Sequence, residues 1–235
     1  MLGVSTISTA QEILDGFDFS YLLSLVQGLI PAVICITLHE LSHGLAAYRL
    51  GDNTAKERGR LTLNPLKHID VVGFIMMVVF HFGWAKPVPV NMYNFKNPKR
   101  GMAITALAGP VSNLIITVVF LLLYGAAYIP LYGSGAGRYV LDTLMLTAYC
   151  SLGLGLFNMI PVPPLDGAKV LAAVIPDESY YKLMRYEKYG MILLVILVWT
   201  GLLGDPVSST VSFVFDRLSV IAQWSCDAVF YLFYQ

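Results

Sequence analysis

Long apolar stretches separated by short polar links run along the whole chain. A helix needs about 20 predominantly apolar residues to cross a bilayer. Residues 21–50, 102–131 and 139–160 meet that length, and 189–203 is shorter but strongly apolar. A fifth stretch, 207–233, is more amphipathic because it carries Asp216, Arg217 and Asp227. The run at 71–83 is too short to cross, and Pro87 and Pro89 behind it disfavour a helix. Irregular backbone at membrane depth survives only where protein or a cavity covers it. The pattern therefore predicts an all-α polytopic membrane protein. About five transmembrane helices surround a three-helix core, with a re-entrant β-hairpin-like segment near 71–98. A segment lying on the membrane surface is the alternative for that run.

Composition supports the membrane class. Of 235 residues, 57% are apolar and 13% charged, against about 25% charged in a soluble domain. Such a chain cannot build an ordinary water-exposed surface, stay disordered, or bind nucleic acid through a basic face. It is expected to form one membrane-embedded domain over 1–235, with its core at about 21–175 and C-terminal helices at about 180–235. Cys35, Cys150 and Cys226 are odd in number and lie in apolar stretches, so they read as buried thiols rather than a disulfide framework. No basic n-region of a cleavable signal peptide precedes the first span, since Arg49 is the first basic residue.

Net charge is zero, yet its distribution is uneven. Basic residues crowd the links after the first span (Arg49 to Lys67), before the second (Lys86 to Arg100) and after the third (Lys169 to Lys188). The intervening links hold Arg138 or none, and the segment before the first span is acidic, with Glu12, Asp15 and Asp18. The positive-inside rule then places the N-terminus outside and the C-terminus in the cytoplasm, provided that 71–83 does not cross.

The first span ends in His39-Glu40-Leu41-Ser42-His43. On a helix, His39 and His43 stack one turn apart and can ligate one metal, while Glu40 can reach a metal-bound water. This is the His-Glu-x-x-His arrangement of zinc hydrolases, set where ionisable residues are expensive. A catalytic zinc typically has three protein ligands. His68, His81, Asp166 and surface carboxylates are all candidates for the third. Asp166 follows a proline-rich end of the third span, Asn158 to Gly167, and reads equally as a ligand or as a turn or helix N-cap. Asn113, near Gly109-Pro110 in the second span, reads as interhelical glue or as a catalytic amide. His81 reads as a hydrogen-bonded structural histidine. Trp224, Phe230, Tyr231, Phe233 and Tyr234 read as an interfacial aromatic belt.

Taken together, His39 to His43, Gly109 to Asn113 and Asn158 to Gly167 resemble the site-2 protease family of intramembrane zinc metalloproteases. Arg60 to Pro65 and Gly83 to Asn91 look like its compact prokaryotic members. The likeness covers about residues 30–175. It implies one zinc ion per chain on His39, His43 and Asp166, with Glu40 as catalytic base and Asn113 as a contact to the substrate carbonyl or oxyanion. Asn158 belongs to the matching motif and is carried over as a substrate contact. Relatives often carry PDZ or CBS modules, and no polar stretch in this sequence is long enough for either. The implied activity is regulated intramembrane proteolysis of a transmembrane-segment substrate, in a prokaryotic cell membrane, with the active site toward the cytoplasm. Trp84, Val88 and Val90 lie on an extended stretch expected to receive an unwound substrate as an added strand. Two rivals stand beside this: a zinc-binding membrane protein or pseudoprotease without hydrolysis, which would need no Glu40, and a scaffold without stoichiometric metal.

Overall fold

The computed structural model describes the backbone of residues 19–80 and 83–233, and the side chains of 27–79, 83–176, 179 and 189–233. His81, the N-terminal acids, Tyr234 and the basic residues of 182–188 lie outside the described side chains, so the expectations placed on them do too. Among the described residues, three helices are long and apolar enough to cross a membrane. The first candidate span, Gln27–Arg49, lies within α1 (Phe19–Arg49). A short α2 (Thr54–Glu57) follows, then α3 (Val71–Phe80), then the long α4 (Pro98–Leu131) and α5 (Gly135–Asn158).

The boundaries of α4 and α5 follow from local chemistry. Asn97 caps α4 by accepting from the Arg100 N–H at 3.1 Å, and Pro98 takes the first helical position, where no N–H is needed. Gly133, at φ 91°, turns the chain back. Ser134 then caps α5 by accepting from the Gly137 N–H at 2.9 Å.

Helices α1, α4 and α5 form the core, joined at membrane depth by polar side chains that bond across helices. Thr117 donates to the Ala148 carbonyl at 3.2 Å, and Ser151 donates to the Asn113 carbonyl at 2.8 Å. The Cys35 thiol donates to the Thr147 carbonyl. Cys35 is buried as expected, whereas Cys150 and Cys226 are only half-buried; all three are free.

Two expectations are corrected. The apolar run near 71 is not one arm of a β-hairpin: it forms helix α3. Among the described residues there is no strand, and extended chain begins only beyond the run, where Pro87 and Pro89 stop any helix. A single antiparallel bridge, Ile69 to Ala85, closes the base of this helix-and-extended loop. The two C-terminal stretches are also not two straight spans. α7 (Asp177–Trp199) gives way at a bend of 81° to α8 (Gly204–Leu218) and α9 (Val220–Phe233), which together with it make at most a fourth crossing. The bend falls at residues 200–203, where Gly201 takes φ 74°, and Ser219 separates α8 from α9. α9 lies on α4, where Ser225 donates to the Leu122 carbonyl at 2.8 Å, and α8 lies on α5, where Phe215 meets Tyr149 edge-on.

Candidate metal and peptidase site

His39 and His43 stand one turn apart on α1, 5% and 9% exposed. Their rings face α4 at Gly109, the only residue type that fits there. A Cβ at that position would lie 2.5 Å from His43 Nε2 and 2.6 Å from His39 Cε1. The third member arrives from α6 (Asp166–Val174), whose first residue is Asp166. Gly167 lets α6 start tight against the end of α5, since a Cβ there would meet the Met159 carbonyl oxygen at 2.2 Å. Asp166 is not the helix cap: Leu165 takes that place without a side-chain bond, and the carboxylate reaches the histidines.

Three atoms converge. Asp166 Oδ2 lies 3.2 Å from His39 Nε2 and 3.0 Å from His43 Nε2, and the two Nε2 atoms are 3.1 Å apart. Ligands at 2.0–2.1 Å in a tetrahedron stand about 3.3 Å from one another, so the triangle has the size of a zinc face. The proton inventory agrees. His43 donates its Nδ1–H to the Thr105 carbonyl at 2.7 Å, and His39 donates its Nδ1–H to Asn113 Oδ1 at 3.3 Å. Both Nε2 atoms then carry lone pairs. Two lone-pair nitrogens and a carboxylate oxygen pointing at one buried spot repel each other unless a cation sits between them. The same outer hydrogen bonds are the ones that orient metal-bound histidines.

Asp166 turns its Oδ2 to the two histidines. Its other oxygen, Oδ1, faces Lys169 Nζ at 3.9 Å.

Asn113 sits beside the ligands but not where a substrate would meet it. It is fully buried, its oxygen faces His39, and its NH₂ donates to the Ser151 carbonyl at 3.1 Å. In this structure the amide oxygen faces His39 and the NH₂ joins two helices. Asn158 borders the site, its NH₂ donating to the Leu154 carbonyl at 2.9 Å. His68 is fully buried elsewhere, bonded to the Thr62 carbonyl at 2.8 Å, and takes no part in the triangle.

Two cavities meet at the site. One, of about 330 Å³, is lined by His43, Asp166, Lys169, Val88 and Val90. The other, of about 270 Å³, is lined mainly by apolar side chains, Trp84, Leu154, Phe157 and Leu194 among them. His39, Glu40, Pro87, Asn158 and Pro164 border both. The extended segment 84–91 forms their shared wall and is fastened along its length. Lys86 N–H donates to the His68 carbonyl at 2.9 Å, and Arg60 donates to the Lys86 carbonyl at 2.7 Å. Val88 N–H donates to Glu40 Oε2 at 2.8 Å, and Asn91 N–H donates to Asp52 Oδ2 at 2.7 Å.

Residues 127–201 match the profile described as Peptidase family M50. The chain is 41% identical over 189 residues to "Putative zinc metalloprotease YwhC" of Bacillus subtilis (strain 168), covering 77% of this chain and 84% of that protein. The chain belongs to peptidase family M50. A similarly designated relative, Rip2 of Mycolicibacterium smegmatis, is 30% identical over 78% of this chain and 71% of its own length. The corresponding figures for MJ0611 of Methanocaldococcus jannaschii are 31%, 66% and 76%. No solved structure matches the chain. The M50 assignment agrees with the motif resemblance, and the metal of these relatives' names, zinc, suits the donor set of His39, His43 and Asp166.

Sequence reasoning missed three parts of this M50 site. The main-chain N–H of Val88 holds Glu40, and the main-chain carbonyl of Thr105 holds His43; neither leaves a side-chain signature. The third is Asp52, which anchors Asn91 and Asn94. Its position just after the first span, with Thr54 two residues on and an Asn-rich stretch beyond, was the available signal.

Proposed function

We propose that the chain is an intramembrane zinc endopeptidase that cleaves a peptide bond in or beside a transmembrane segment of a membrane-protein substrate. The observation carrying this is the placement of Glu40. It is a carboxylate next to three converging metal-ligand atoms, on the border between a mainly apolar cavity and a more polar one. A chain leaving the bilayer passes through the same change of surroundings.

Zinc on His39, His43 and Asp166 would act as a Lewis acid, polarising the scissile carbonyl and lowering the pKa of its water to about 7. Glu40 takes a proton from the attacking water and returns it to the leaving amine. Asn113, bonded to His39 Nδ1–H, holds that imidazole in the tautomer whose Nε2 can ligate.

The segment 84–91 supports strand addition of a restricted kind. Pro87 and Pro89 have no N–H, and the N–H groups of Lys86 and Val88 are already given to His68 and Glu40. Between 86 and 89 an incoming strand finds acceptors but no free donor, so the substrate must donate. Val88→Asp and Val90→Asp are expected to lower cleavage at least tenfold while zinc is retained; full cleavage by both variants would sink this docking mode.

The basic links support an orientation with the N-terminus outside and the zinc site toward the cytoplasm of a prokaryotic cell membrane. The deciding experiment compares purified wild-type protein with Glu40→Gln, quantifying zinc and following cleavage of a membrane-spanning test substrate. Zinc at one per chain with cleavage lost by 10³-fold or more is expected. Cleavage unaffected by the substitution would end the peptidase reading, and wild-type protein that holds zinc without cleaving would favour a binding protein.

A further inference from the structure

Peptide hydrolysis places negative charge on the scissile carbonyl oxygen, and a donor aimed at that oxygen lowers the barrier. Several donors around the site are committed, and the buried Thr105 hydroxyl, which has no partner, carries no charge. Both polar ends of the Asn113 side chain are taken, and Asn113 does not line either cavity at the site. The Asn158 NH₂ is given to the Leu154 carbonyl, and both histidines spend their N–H groups on Asn113 and Thr105. Among the described residues lining these cavities, one side chain brings a positive charge: Lys169, one helical turn beyond Asp166 on α6. Its Nζ lies 3.9 Å from Asp166 Oδ1, on the side of that carboxylate away from the histidines. At 3.9 Å the contact is loose, and the side chain is 29% exposed. The ammonium is thus tethered to a ligand without being locked to it, on a flexible four-carbon stem with three rotatable donors.

We propose that Lys169 is a second positive charge, beside the metal, that meets the scissile carbonyl oxygen as it becomes an oxyanion, a role that rests on the peptidase reading above. Water oxygen bonds to the carbonyl carbon, the carbonyl π pair moves onto oxygen, and one water proton passes to Glu40. Lys169 turns from Asp166 toward that oxygen and donates a hydrogen bond, keeping its own proton throughout. When the C–N bond breaks, its electron pair leaves on nitrogen and takes the proton from Glu40. The oxygen pair then re-forms the carbonyl, and the remaining water proton departs with the new carboxyl group. Lys169 also lines only the more polar cavity, so it approaches the carbonyl from the side where the substrate leaves apolar surroundings.

The test uses the full chain, purified with zinc, as wild type, Lys169→Met and Lys169→Arg. Three quantities are measured: zinc per chain, kcat and KM on a membrane-spanning substrate, and calorimetric affinity for a peptide phosphonamidate, an anionic mimic of the tetrahedral state. Lys169→Met is expected to keep its zinc, lose about 100-fold in kcat with KM within threefold, and lose a similar factor in phosphonamidate affinity. Lys169→Arg is expected to recover at least a tenth of the wild-type kcat, as a retained cation should. Zinc lost in parallel with kcat would show that Lys169 only holds Asp166, and would overturn the proposal. So would unchanged kcat, or unchanged affinity for the mimic. Wild-type protein that neither cleaves nor binds the mimic would overturn the peptidase reading itself, whereas wild-type activity matched by Lys169→Met overturns only the role of Lys169.

Discussion

Asn113 shows how one side chain serves two purposes at the centre of the molecule. Its oxygen accepts from His39 while its NH₂ bonds the Ser151 carbonyl on the neighbouring helix. Removing such an outer partner of a ligating histidine typically costs 10- to 100-fold in metal affinity. Asn113→Ala is therefore expected to weaken zinc binding by that factor, measured by competition with a chelator of known strength. Unchanged affinity would mean that the 3.3 Å contact does not orient His39. The identity of this residue was legible in the sequence, because an amide inside an apolar helix must find partners. Its partner was not, since the choice between helix glue and substrate contact depends on which neighbour lies opposite. His39, His43 and Asp166 were easier. Two histidines one turn apart share a face whatever the rest of the fold does, while Asp166 needed three prolines and Gly167 to bring it back.

At the scale of elements, the segment 84–91 depends on a buried acid in another loop. Asp52 is fully buried. It accepts from Thr54 N–H at 3.1 Å, Asn91 N–H at 2.7 Å and the Asn94 NH₂ at 2.7 Å. Burial pushes its carboxyl up, and the hydrogen bonds from Thr54, Asn91 and Asn94 more than offset this, leaving it below the ordinary range. A lowered carboxyl pKa means that this anchor contributes fully above the unfolded value of about 3.9 and fades as pH falls below it. Protection factors of the Asn91 and Asn94 amides, which already allow for the intrinsic pH dependence of exchange, should accordingly fall below about pH 4. Asp52→Ala should produce the same loosening at neutral pH, at a cost on the order of 3 kcal/mol, because it orphans several donors. Equal exchange in variant and wild type would show that the segment is held from elsewhere. The long helices were readable as elements, since length, caps and hydropathy all act locally. The helix at Val71–Phe80 was not, because a short, uniformly apolar run has no period to separate helix from strand. The bend after Trp199 escaped for a similar reason: hydropathy reports what a residue avoids, not the direction in which the chain turns.

For the whole molecule, the clearest global inference is the side of the membrane on which each link lies. Single cysteines placed at Ser134 and Lys56, in a chain whose native cysteines are replaced by alanine, should label oppositely with a membrane-impermeant maleimide in intact cells. Ser134 should react and Lys56 should not; the reverse pattern would invert the proposed orientation. Three spans and one family could be reached from hydropathy and motifs together. The meeting of two unlike cavities at Glu40 could not, because a cavity belongs to no single stretch of sequence. Pro87 and Pro89 carry one further consequence at this scale. An extended edge with free donors invites pairing with the same edge on a neighbouring copy, and proteins commonly blunt such edges with proline. With no free donor between 86 and 89, two copies meeting there would bring carbonyl against carbonyl. The feature that narrows how a substrate can dock also keeps these proteins from seeding sheets with one another when crowded in a bilayer or concentrated in detergent.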